Sequence, residues 1–170
     1  SISIDEKKAL IGSRDGNVSV QYDFDTITHL WTESHVFSPY NYQSNGRFGF
    51  SVELAGNYAI IGSPGFDKKG FVEIHQFEND SWAKVTKIAN PEDEVGTYFG
   101  ASIAMENNQI AVGNFNSDNS FIYAAEDFNT FSLSQTIDSP SSHEGKYGRN
   151  LELINGHLAI GATCGEKAYI

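Results

Sequence analysis

The residues of this chain that could do chemistry are few and scattered. Five histidines occur, at His29, His35, His75, His143 and His157. None has a Cys, Asp or His at the spacing that would bring two ligands to one side of a strand or helix, so no zinc-type metal site is expected. Serines are numerous, but no Gly-x-Ser-x-Gly elbow presents one as a nucleophile. The single cysteine, Cys164, has no internal disulfide partner. Its one basic neighbour is Lys167, so an inert thiol is expected. Acids cluster at Glu92-Asp93-Glu94, just after Pro91. A glycosidase pair must face each other across a sugar, so consecutive acids read as a charged loop. Asn114, Asn116 and Asp118 alternate as oxygen donors in NFNSDNS. No glycine stands in mid-loop and no chelating acid follows at the expected distance, which favours a polar turn over a calcium loop.

Other candidates concern binding. Trp31, Trp82 and Phe131 occur at matching places along the chain. Such rings either pack one repeat against the next or, facing outward, meet a partner or stack a sugar. Asn17-Val18-Ser19 and Asn79-Asp80-Ser81 are glycosylation acceptor triplets, so Asn17 and Asn79 are candidate glycan sites. Asp15-Gly16 and Asp67-Lys68-Lys69 occupy equivalent loops. They read as solvated turns, or as one rim where a partner docks.

Composition bounds the partners. Acidic residues number 22 against 11 basic ones, for a net charge of −11. Such a surface repels phosphate backbones, so nucleic acid is not expected as a partner. The apolar runs are far shorter than a membrane span. Aromatics make up 13% and charged residues 19%, with many glycines and few prolines. That profile suits an all-β protein with tight turns and does not suit disorder.

The elements that position these residues are repeated. Phe48–Pro64 (FGFSVELAGNYAIIGSP) has counterparts at Phe99–Asn114 (FGASIAMENNQIAVGN) and Tyr147–Thr163 (YGRNLELINGHLAIGAT). Its second half occurs once more at Ile2–Ser13. The glycines that close each second strand, Gly12, Gly62, Gly113 and Gly161, lie 50, 51 and 48 residues apart. The aromatic-glycine pairs Phe48-Gly49, Phe99-Gly100 and Tyr147-Gly148 keep the same period. So do Pro39, Pro91 and Pro140, and the three large rings. A fixed period is the signature of a tandem array.

Each unit reads as four strands. In the second they are expected near Gly49–Leu54, Tyr58–Ser63, Phe71–Phe77 and Trp82–Ala89. Two-residue turns join the first two strands at Glu6-Lys7, Gly56-Asn57, Asn107-Asn108 and Asn155-Gly156. Asn and Gly accept the positive φ such turns require; Glu6-Lys7 departs from that chemistry. The second strands (ALIG, AIIG, IAVG, LAIG) are unbroken apolar runs, which implies burial on both faces. The fourth strands are more polar, as outer strands should be. The units are roughly 1–39, 48–91, 99–140 and 147–170, all within one domain spanning 1–170.

An aromatic-Gly pair, a β-hairpin and then Gly-Ala/Ser-Pro resembles the FG-GAP repeat of integrin α subunits and many microbial surface proteins. Phe48-Gly49 with Gly62-Ser63-Pro64 matches best. Phe99-Gly100 with Gly113-Asn114 lacks the proline, and Tyr147-Gly148 with Gly161-Ala162-Thr163 is intermediate. The resemblance implies a β-propeller, usually of seven four-stranded blades. Seven units of this size need about 350 residues, so about 3.5 blades are expected here. Integrin-type blades often carry a calcium loop between their first two strands. Two residues leave no room for that cage, so the short-loop form is expected, without cofactor or metal. A β-sandwich is the alternative fold, but it does not demand this period.

The chain opens inside a first strand and stops inside a third. The expectation is that its outer faces are covered by the remaining blades of the same protein, by a second copy or by a partner. The function expected is a non-catalytic scaffold for protein–protein interaction or adhesion, extracellular or at the cell surface. The alternatives are a carbohydrate-binding propeller using the repeated rings, and an accessory propeller of an enzyme whose catalytic domain lies elsewhere.

Overall fold

The computed structural model describes residues 1–114, 116–117, 119–127, 130–140, 146–162 and 167–169. Thr163, Cys164, His143 and Asp118 lie outside the described residues. The chain forms consecutive antiparallel sheets. The first holds β1 (Ile2–Asp5), β2 (Lys8–Ser13), β3 (Val18–Asp25) and β4 (Leu30–Phe37) in that order. The second holds β5 (Ser51–Ala55), β6 (Tyr58–Ser63), β7 (Phe71–Glu78) and β8 (Ser81–Ala89). The third holds β9 (Phe99–Glu106), β10 (Gln109–Asn114), β11 (Asn119–Asp127) and β12 (Thr130–Asp138). The fourth, among the described residues, holds β13 (Tyr147–Ile154), β14 (His157–Ala162) and β15 (Lys167–Tyr169). One 3-10 turn, Phe66–Lys68, is the only helical element among them.

The expected hairpins are present. Asp5 pairs with Lys8, Ala55 with Tyr58, Glu106 with Gln109 and Ile154 with His157, so every first connection is two residues long. The first residue of each turn, Glu6, Gly56, Asn107 or Asn155, lies at φ between +51° and +56°. Glu6 therefore adopts the left-handed conformation without the residue type that favours it. The first strand of unit two begins two residues later than its sequence suggests. Gly49 and Phe50 both direct their N–H groups to the carbonyl of Gly62, which interrupts regular pairing there.

The sheets stack face to face in chain order, and alternation along the second strand explains its continuous apolar run. On β6, Ile61 points toward unit one and packs with its Leu10 and Phe37, alongside Val52 and Leu54 of β5. Its neighbour Ile60 points the other way and packs with Ile103, Val112 and Phe121 of unit three. Both isoleucines are fully buried. The third junction is thinner, built from Ala104 and Ala111 against Leu153. Burial on both faces holds for β6 and β10; β2 and β14, in the outer units, are partly exposed. The first strands lie side by side, β1 against β5, β5 against β9 and β9 against β13. The fourth strands β4, β8 and β12 are mostly exposed along the opposite edge.

Candidate interaction surfaces

The repeat-defining residues form one contact, made three times. A Cβ added to Gly12 would stand 2.1 Å from the carbonyl oxygen of Gly49. For Gly62 the obstacle is Gly100 O at 2.1 Å, and for Gly113 it is Gly148 O at 2.0 Å. The marker glycine of one unit thus accepts the backbone of the next unit's aromatic-glycine pair. Gly49, Gly100 and Gly148 lie at φ +82°, +85° and +80°, a region where side chains are strained. A serine secures each carbonyl. Ser1 Oγ donates to Gly49 O at 3.1 Å, Ser51 Oγ to Gly100 O at 2.7 Å and Ser102 Oγ to Gly148 O at 2.6 Å. The preceding aromatics Phe48, Phe99 and Tyr147 are buried. At Gly161 the arrangement differs: a Cβ there would meet Asn150 Cβ at 3.5 Å, an ordinary contact.

The three large rings are equivalent in register but not in surroundings. Trp31 pairs across from Phe24, Trp82 from Phe77 and Phe131 from Ala125. Trp82 is wedged into the first junction, where its Nε1–H donates to Gln21 Oε1 at 2.8 Å and its ring meets Phe37 edge-on. Phe131 packs against the core between units two and three. Both rings are half-buried against a neighbouring unit. Trp31 remains 44% exposed. It joins Ile2, Ile4, Ile11 and Tyr22 around an apolar groove of about 380 Å³. The equivalent residues of unit two, Val52, Leu54 and Ile61, are buried under unit one.

A polar cluster sits inside the same first junction. Glu73 and His75 occupy β7 positions that carry Val20 and Tyr22 in unit one and Phe121 and Tyr123 in unit three. Glu73 is 2% exposed. Its carboxylate meets His75 Nε2 at 3.3 Å and accepts from Lys84 Nζ at 2.8 Å. Burial alone would raise this carboxyl; the close approach of His75, the hydrogen bond from Lys84 and the charge of both outweigh it and hold it below the usual range. His35 lies next to Phe37, which also touches His75. Burial and the charge of His75 lower the pKa of His35. Burial pushes Glu53 on β5 up to about 7, with further push from Glu152 and Asp5 against a hydrogen bond from Ser3.

The loop candidates are absorbed into structure. Glu92 accepts from the side-chain amides of Asn114, at 3.3 Å, and Asn119. Asn116 Nδ2 donates to Gly96 O at 2.9 Å, and Asp93 pairs with Lys69 at 2.5 Å. These contacts tie the loop after β10 and the acidic loop after β8 into one rim. Asp67 stands at φ +52° in the 3-10 turn, and its N–H donates to Gln43 Oε1. Asn79 is exposed at a turn. Asn17 is 2% exposed; its Oδ1 accepts from Phe48 N–H and its Nδ2 donates to Gln43 O. A glycan on that nitrogen has no room in the folded chain, so the expectation for Asn17 is corrected. Among the described residues, no group of three or more His, Cys, Asp or Glu side chains gathers to hold a metal. Nor is any helix among them long and apolar enough to cross a membrane.

No family model matches the chain. No curated protein matches it in sequence. Among solved structures it is similar to a protein from Lactobacillus plantarum, at 16% identity and a TM-score of 0.55, over 78% of this chain and 39% of that one. It is similar to the glutaminyl cyclase of Myxococcus xanthus at 10% identity and a TM-score of 0.58, over 99% and 69% of the two chains. The periplasmic gluconolactonase of Pseudomonas aeruginosa matches at 12% identity and a TM-score of 0.50, over 94% and 63%. The chain thus spans between 39% and 69% of these solved chains. Such low identities speak to fold alone. The chain is an all-β protein of four-stranded antiparallel sheets with a propeller-like fold.

Proposed function

We propose that this chain is a segment of an FG-GAP-like propeller, of the usual seven blades, that serves as a non-catalytic scaffold for protein–protein interaction. The observation that supports it is the groove of Ile2, Ile4, Ile11, Tyr22 and Trp31. Five apolar side chains share one open sheet face, and the same face of the next unit is covered by another sheet. An apolar face of that make-up takes protein: its occupant supplies a matching sheet face, from a further blade or a partner. A surface or secreted setting follows from the FG-GAP likeness. One second reading has an observation of its own: Trp31 and Tyr22 in an open groove are rings on which a sugar could stack.

A photo-cross-linking residue at position 31, in cells that make the protein, separates these readings. Our reading expects cross-links from position 31 to protein, from within the chain or from a partner. A control at the exposed loop residue Ile27 should give none. No protein cross-link, together with glycan-array binding lost in Trp31→Ala, would replace it with the carbohydrate reading.

A further inference from the structure

Where a carboxylate ends a unit's first strand, it accepts from backbone amides of the next unit's first turn. At the first junction, Gly56 N–H donates to Asp5 Oδ2 at 2.7 Å. At the third, Asn155 and Gly156 donate to the two oxygens of Glu106 at 2.6 and 2.7 Å. Asp5 and Glu106 are the last residues of β1 and β9, so one strand position supplies the acid both times. At the second junction that position is Ala55. A methyl group accepts nothing. The turn it serves, Asn107-Asn108, matches Gly56-Asn57: its first residue lies at φ +53°, beside +56° for Gly56, and only the first residue is at positive φ, whereas in Asn155-Gly156 both are. Its first amide, that of Asn107, therefore aims as the amide of Gly56 does. A cavity of about 570 Å³ opens there, lined by Ala55, Tyr58, Gln76, Glu78 and Asn107 among others.

We propose that this cavity is a carboxylate-binding site, in which the Asn107-Asn108 turn takes an external carboxylate in the place that Asp5 and Glu106 fill at the sister turns. Glu78 sets the ligand class. It sits on the cavity wall, and with the chain's net charge of −11 it opposes a bare anion. A carboxylate with a cation beside it satisfies both sides: its oxygens meet the amides and its cation meets Glu78. Tyr58 belongs to the same wall; burial and the charge of Glu78 raise its hydroxyl pKa. The ligand is thus zwitterionic, either a free amino acid or an adjacent acid–base pair on a peptide. This inference is independent of what occupies the Trp31 face.

Amide resonances give the test. Glycine, the capped dipeptide acetyl-Asp-Lys-amide and acetate are titrated into the protein while the Asn107 and Asn108 amides are followed. Gly56 and Gly156, already held by Asp5 and Glu106, are internal controls. Saturable shifts at Asn107 and Asn108 with glycine or the dipeptide, stronger than with acetate and absent at the controls, are expected. Response to glycine alone identifies the free amino acid as the source; response to the dipeptide identifies a protein segment. Ala55→Glu should supply the acid internally and abolish the shifts. Glu78→Gln should bring the acetate and glycine responses together, and it carries the test should Ala55→Glu fail to fold. No saturable shift with any probe, or unchanged selectivity in Glu78→Gln, would overturn the proposal.

Discussion

The hydroxyl of Ser51 donates to the backbone carbonyl of Gly100 across 2.7 Å and 49 residues of sequence. That carbonyl also occupies the space where a Cβ on Gly62 would stand. One atom therefore holds two units in register, and the same atom is what makes Gly62 irreplaceable. The polar part of the staple is worth about 0.5–1.5 kcal/mol as a hydrogen bond. Its larger effect is steric, because close approach of two backbones brings the apolar sheet faces on either side into contact.

Trp82 and Trp31 should respond differently to the same substitution. Trp82→Phe removes the N–H that serves the buried Gln21. A loss of about 1–3 kcal/mol is expected, because Gln21 is left without that donor. Trp31→Phe lies on the open face and should change stability by less than about 0.5 kcal/mol. Denaturant titration of the two variants checks the assignment.

Asn17→Ala should destabilise by about 1–3 kcal/mol, since it orphans the N–H of Phe48 and the carbonyl of Gln43. Ser19→Ala, which destroys the same acceptor triplet, spares both bonds. If a glycan on Asn17 mattered, the two variants would behave alike. Thermal melts should show a drop for Asn17→Ala alone.

Two carboxyls give opposite pH dependences. Glu53, raised to about 7 from 4.5, keeps its proton in the folded chain after the unfolded chain has lost it. Stability from this group falls as pH rises between those values. Glu53→Gln should therefore stabilise the protein above pH 7, relative to the parent, more than at pH 4. Glu73 is depressed, so its contribution is present above the ordinary carboxylate value and is lost as pH falls through the folded value. Glu73→Gln should flatten the acid limb of a stability–pH curve. An unchanged acid limb would mean the contacts with His75 and Lys84 do not form in solution.

Much of the fold was legible because the repeat is spoken in backbone-determining residues. Turn asparagines and glycines, the marker glycines and the unbroken apolar runs each constrain φ or close approach, and they recur in phase. The surfaces were less legible. Trp31, Trp82 and Phe131 are the same kind of residue at the same register, and only the neighbouring unit decides which is covered. Asn17 heads an acceptor triplet, yet a triplet says nothing about burial or about a bond to residue 48. Glu73 and His75 interrupt a position that is apolar in the sister units, and that interruption was the readable signal of a polar pair inside a junction. The alternation of Asp5, Ala55 and Glu106 was also on display, but its meaning depends on which turn each residue meets across the junction.

The most direct test of the glycine staple compares Gly113→Ala with Gly161→Ala in this 170-residue chain. A Cβ at Gly113 would stand 2.0 Å from Gly148 O, whereas one at Gly161 finds only an ordinary contact with Asn150 among the described residues. The two glycines close equivalent strands; Gly113 is buried and Gly161 half-buried, so what separates them is the neighbouring unit's backbone against Gly113. Gly113→Ala should lower stability by about 3 kcal/mol or more, because backbone must move to admit the methyl. Gly161→Ala should stay within about 0.5 kcal/mol of the parent. Equal midpoints for the two variants in a denaturant titration would contradict the claim that each marker glycine exists to receive the next unit's aromatic-glycine carbonyl.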